Sequence, residues 1–165
     1  MKKIRIKYYL IAVLLMMIAL TSCDIRKKLK EEEQAKIRDY LASNPDLAFQ
    51  QKPSGLYYLD VVVGSGPEAE TNDTAMVFYN MKSLDGKLFE TNVGSTDTLR
   101  VLVNGGKLDV KGLDEGITYM REGGQSILLV PSKLAFGGEG KSVVGGYTPL
   151  LFDCYLVRLK KHSTR

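Results

Sequence analysis

Apolar positions fall into three patterns along the chain. Leu10 to Leu20 is an unbroken run of eleven apolar residues. Residues 24–43 then carry mostly charge, with Lys27–Glu31, Lys28–Glu32 and Glu32–Lys36 spaced four apart, which supports a helix. Ile25, Leu29, Ile37, Tyr40 and Leu41 add only a thin, interrupted stripe. This helix therefore reads as a solvated spacer about 30 Å long, with a stalk or partner-binding helix as the alternative. Asn44-Pro45 ends it, because the residue before a proline avoids the helical region.

After a second break at Lys52-Pro53-Ser54-Gly55 the pattern turns to strands. Leu56 to Val63 is rich in Tyr and Val and closes at Gly64-Ser65-Gly66-Pro67. Thr74 to Leu84 is a second β-rich run, and Asp85-Gly86 predicts a hairpin turn into residues 87–91. Leu99, Val101 and Val103 alternate with Arg100, Leu102 and Asn104, as in a strand with one core face. Val110, Leu113, Ile117 and Met120 recur at helical spacing, and Gly123-Gly124 reads as the end of that short helix. Residues 126–130 and 150–159 read as buried strands, separated by a loop rich in glycine from Gly137 to Gly146. The sum is an α+β arrangement: a mostly antiparallel sheet, one short helix, and a charged helix in front.

Length and charge sharpen this picture. A chain of 165 residues fits one domain. Its formal charge of +4 comes entirely from Lys2, Lys3, Arg5 and Lys7, since no acid precedes Asp24 and the remainder of the chain is balanced. A basic face able to release counterions from phosphates is not expected, and neither is a nucleic-acid partner. The basic start and the eleven-residue apolar run match a secretory signal, because a membrane span needs roughly 20 such residues. The sequence Leu20-Thr21-Ser22-Cys23 resembles the bacterial lipobox, whose cysteine becomes a lipidated N-terminus. The expected organisation is a lipoprotein signal peptide over 1–22, a charged helical tether over 23–53 and a folded domain over 54–165. The expected location is the bacterial cell envelope, with Cys23 holding the protein to the membrane by more than one acyl chain, facing the periplasm or the exterior.

Most catalytic chemistries are missing from the sequence. The one histidine, His162, lies near the C-terminus, where chains are seldom ordered enough for catalysis. Cys154 alternates with Phe152 and Leu156 and reads as a small buried hydrophobe. No Cys-x-x-Cys, His-Glu-x-x-His or Walker-type pattern exists, so no metal and no cofactor are expected. What remains is aromatic and aliphatic surface with a few carboxylates, suited to binding an apolar group and twisting it.

Four segments carry a family likeness in order and spacing: SGLYYLDVVVGSGP, MVFYNMKSLDGKLFETN, VKGLDEGITYMREGGQSILLVPSKLAFG and TPLLFDCYLVRLKK. From Ser54 onward the chain resembles the FKBP-type peptidyl-prolyl cis–trans isomerases. The resemblance implies a half-barrel sheet wrapped around the short helix, with an apolar cleft between them that binds proline-containing polypeptides. It implies that Tyr79, Phe89, Glu90, Val110, Leu113, Phe136 and Phe152 form the catalytic pocket, and that Leu99, Val143 and Val144 contact substrate. The backbone N–H of Val110 would hold the substrate carbonyl. Four departures are visible: Glu90 replaces the family's aspartate, Leu113 its tryptophan and Phe136 the tyrosine of Ala-Tyr-Gly, while Gly145-Gly146-Tyr147 replaces a proline-rich loop closure. The resemblance thus implies an isomerase of reduced or retuned activity, expected as a monomer, with a non-catalytic binding or chaperone module as the alternative. If Cys23 carries the anchor, mass spectrometry of the mature protein will find it acylated at the N-terminus, and Cys23→Ser will leave the membrane fraction.

Overall fold

The computed structural model describes residues 24–162. Cys23 and the signal segment lie outside the described residues. Helix α1 covers 24–43. Seven strands follow: β1 (Gln50–Gln51), β2 (Tyr57–Val62), β3 (Thr74–Ser83), β4 (Leu88–Thr91), β5 (Leu99–Leu102), β6 (Gln125–Val130) and β7 (Leu150–Lys160). Helix α2 (Lys111–Ile117) lies between β5 and β6, and a 3₁₀ turn (Ser132–Leu134) follows β6. The strands form one antiparallel sheet in the order β1-β2-β6-β7-β3-β4, with β5 also on β3. This is the expected FKBP-like sheet around one short helix, preceded by a charged helix.

Strand alternation builds the core. Ala75, Val77 and Met81 of β3 and Leu150, Phe152, Cys154 and Leu156 of β7 face inward and are buried. Leu113 and Ile117 of α2 meet them from the open side of the sheet. Gly112 and Gly116 are also buried, on the face of α2 that lies against β6. A Cβ placed on Gly112 would stand 2.5 Å from a methyl of Val130, and one on Gly116 would collide with the Leu128 methyls. Only glycine lets the helix approach the strand this closely.

Three expectations need correction. The helical spacing of Val110 to Met120 continues past the α-helix, which stops at Ile117. Tyr119 and Met120 bond back to Gly116 and Ile117, so the last turn tightens to an i→i−3 pattern while Met120 still reaches the core. Gly123-Gly124 does not end that helix; it opens β6, with the Gly123 N–H donating to Leu156 and Gly124 accepting from the Leu156 N–H. The tether is not a free spacer either. Gln50 and Gln51 pair with Tyr58 and Tyr57, and Ile37 of α1 is 1% exposed. A period of 3.6 identifies a helix but not the hydrogen bonds of its last turn, and one apolar residue among charges gives no sign of what it packs against.

The close approach of α2 sets an expectation for stability. Gly112→Ala should gain up to about 1 kcal/mol of helix propensity, but it must push against Val130, which is stiff and fully buried. Overpacking of this kind costs roughly 1–3 kcal/mol. The expected net result is a lower urea midpoint at unchanged m-value; a midpoint at or above the parent's would show that the helix has room to move.

Candidate active site

A cleft of about 180 Å³ opens between α2 and the inner face of the sheet. That is below the 300–1,000 Å³ of sites for drug-sized ligands and suits a single ring or side chain. Strand β3 contributes Tyr79 and Met81, which share a face because they lie two apart. Phe152 of β7 stands opposite Met81 in register, and its ring centroid is 5.9 Å from that of Tyr79 at a 41° tilt. Leu113 of α2 and Leu99 of β5 add aliphatic surface, and Phe136 enters from the loop beyond the 3₁₀ turn.

Polar groups sit at the rim. The Tyr79 hydroxyl donates to Glu90 Oε1 at 2.6 Å, within the short range of charge-assisted bonds. Burial, then the bond to Glu90 and its charge, push the Tyr79 phenol well above its ordinary value. Asn92 holds this tyrosine in place: its Oδ1 accepts from the Tyr79 N–H at 2.7 Å and its Nδ2 donates to Val77 at 3.0 Å. Val110 precedes α2, and its carbonyl accepts from the Leu113 and Asp114 N–H groups. Its own N–H has no acceptor among the described residues. Asp114 ties down the loop before α2 by accepting from the Gly106 N–H at 2.8 Å. Lys141 and Asp109 form an ion pair at the mouth, and Lys141 Nζ lies 5.8 Å from the Phe136 ring. Among the described residues no cluster of histidine, cysteine or carboxylate could hold a metal. Burial raises the Cys154 thiol, which is fully enclosed.

Seven of the sequence-derived site residues converge here: Tyr79, Glu90, Leu99, Val110, Leu113, Phe136 and Phe152. Phe89 does not line the cleft. It is the extra residue of a bulge, since Glu90 pairs with Met81 and Leu88 with Lys82, and it packs half-buried against the core beside Lys87. Val143 and Val144 do not line it either. Lys141 and Val144 exchange backbone hydrogen bonds of 2.9 Å, so Val143 points out at 67% exposure and Val144 turns into the core at 3%. Met81, Leu108, Asp109 and Lys141 complete the lining and were not singled out by sequence. The alternation on β3 could have marked Met81; nothing local marks the other three. A wider depression of about 720 Å³ lies between α1 and the β3–β4 turn, lined by Tyr40, Leu84 and Pro149 among polar side chains, and it gathers none of the sequence-derived site residues.

The FKBP_C family pattern, described as FKBP-type peptidyl-prolyl cis-trans isomerase, matches residues 66–157. The chain belongs to this family. It is 37% identical over 107 residues to FK506-binding protein 4 of Dictyostelium discoideum, a match covering 64% of this chain and 28% of the relative. It is 29% identical over 131 residues to the FKBP-type peptidyl-prolyl cis-trans isomerase FkpA of Aeromonas hydrophila, covering 79% and 48% respectively. The chain thus spans about half or less of these relatives' lengths. The crystal structure of AtFKBP13 superposes with a TM-score of 0.61 at 31% identity, covering 67% of this chain and 97% of that one.

Burial of Tyr79, reinforced by its bond to Glu90, makes the FKBP cleft sensitive to alkali. A phenol whose folded pKa is raised contributes stability that is fully present below the ordinary value of about 10 and is lost as pH climbs above it. Glu90→Gln removes the charge and the strongest acceptor. Ultraviolet difference titration should then show Tyr79 ionising at lower pH than in the parent, with a shallower loss of stability above pH 10. Identical titrations of parent and Glu90→Gln would mean that the pair does not form.

Proposed function

We propose that this chain is a peptidyl-prolyl cis–trans isomerase acting on X–Pro bonds of extracytoplasmic polypeptides, held to the cell envelope by lipid at Cys23. The observation that carries the reading is the convergence of Tyr79, Leu113, Phe136 and Phe152 around a ring-sized cleft, with the Val110 N–H, unpaired among the described residues, at its edge. The location rests on the basic, apolar and lipobox-like start of the chain.

The mechanism needs no acid or base. Rotation about a peptide bond is resisted by resonance, with a barrier of about 18–20 kcal/mol, and uncatalysed X–Pro exchange takes tens to hundreds of seconds. In the twisted state the amide is less charge-separated than when planar, so contact with the apolar side chains Leu113, Phe136 and Phe152 favours it over both planar isomers. Preferential binding of that state is the catalysis. Leu113, Phe136 and Phe152 hold the prolyl ring, Tyr79 closes one side, and the Val110 N–H fixes a substrate carbonyl.

A second reading, a binding module of the same fold, is favoured by Glu90, Leu113 and Phe136, where the family carries an aspartate, an indole and a phenol. Cis–trans exchange in a series of proline tetrapeptides separates the two. The isomerase reading expects acceleration by the parent, most of it lost in a folded Phe152→Leu variant. Phe136→Tyr should raise the rate two- to tenfold, the worth of one recovered hydrogen bond. A parent without activity that still suppresses client aggregation would establish the module instead. Full activity in folded Phe152→Leu would place the site elsewhere.

A further inference from the structure

Helix α1 meets the domain at one buried polar contact. Glu33 is 5% exposed, and Ile37, one turn on, is 1% exposed. The Ser132 N–H donates to Glu33 Oε1 at 2.5 Å, and the Ser132 hydroxyl donates to Oε2 at 2.7 Å. Removing a carboxylate from water is unfavourable unless its oxygens find donors, and here each oxygen has one. Glu31 and Glu32, its neighbours in the same acidic run, are exposed.

Ser132 begins the 3₁₀ turn, and the residue before it is Pro131, whose side chain offers no oxygen to cap the free N–H groups. Glu33 supplies that cap from 99 residues away. The effect extends toward the cleft, because the Ser132 carbonyl accepts from the N–H groups of both Ala135 and Gly137, at 2.9 and 2.8 Å. Those two amides flank Phe136, whose ring lines the cleft. A single bidentate contact therefore holds the start of the turn whose other end presents an aromatic wall.

We infer that Glu33 is a positioning residue for the isomerase site, acting through Ser132 on Phe136, and that α1 is a brace for the cleft. This rests on the reading of the cleft as the X–Pro site. Because the brace comes from the segment joining the anchor to the domain, displacing α1 would loosen one wall of the pocket.

The test is a double-mutant cycle on the full chain, read by tetrapeptide exchange kinetics and by amide hydrogen exchange. Glu33→Ala should lower kcat/KM about five- to tenfold, mainly through KM, and speed exchange at Ala135 and Gly137. Glu33→Gln should restore activity to within about twofold, since its amide can accept from the N–H and donate to the hydroxyl. In a Phe136→Ala background, Glu33→Ala should add no further loss, whereas a merely structural role would give additive losses. Additive losses, or a folded Glu33→Ala with unchanged kcat/KM beside an impaired Phe136→Ala, would overturn the brace alone. Full activity in Phe136→Ala would overturn the cleft reading and the brace with it. If Glu33→Ala fails to fold, Ser132→Ala removes only the hydroxyl bond and carries the same cycle, with an expected two- to threefold loss.

Discussion

The contact of α2 with β6 governs the geometry of everything else. Gly112 and Gly116 leave no side chain between helix and strand, so Val130 and Leu128 pack directly on the helix backbone. The depth at which α2 sits then decides how far Leu113 projects into the cleft and where the Val110 N–H lies. Asp114, in the first turn, transmits the same placement to the loop before the helix through its bond to Gly106. An FKBP cleft is a gap between a helix and a sheet, and the gap is set by the closest approach elsewhere along the same helix.

Strand β3 is the second organising element, because it is paired along its whole length on one side and by two different strands on the other. Residues Thr74 to Val77 pair with β5, and Asn80 to Lys82 pair with β4. The backbone between these stretches would lack partners, and Asn92 supplies them with its own side chain and N–H. Tyr79 occupies that junction. Its position is therefore held by the backbone as well as by packing, which lets the phenol meet Glu90 at short range across the bulge that displaces Phe89.

The far end of the sheet is where α1 arrives. Val130 of β6, Leu150 of β7 and Ser83 of β3 adjoin there in register, and α1 reaches the same end through Ser132 and the β3–β4 turn. This end carries the loop that brings Phe136 into the cleft. The charged segment before the domain thus belongs to the packed structure, although its charge pattern is that of a solvated helix.

Features encoded locally were legible in the sequence. Alternation of Phe152, Cys154 and Leu156 marked the inward face of β7, Asp85-Gly86 marked the hairpin after β3, and helical spacing marked α2 with Leu113 on its buried side. Seven residues that line the cleft, Tyr79, Glu90, Leu99, Val110, Leu113, Phe136 and Phe152, were picked out through the family likeness. Features that join distant segments were not. The bulge that turns Phe89 away, the backbone pairing that sends Val144 inward, the Lys141–Asp109 pair and the bond of Glu33 to Ser132 all depend on what lies opposite in space. Periodicity reports which side of an element is apolar; only the folded chain determines which groups meet across that side, because each such contact requires both partners to be placed.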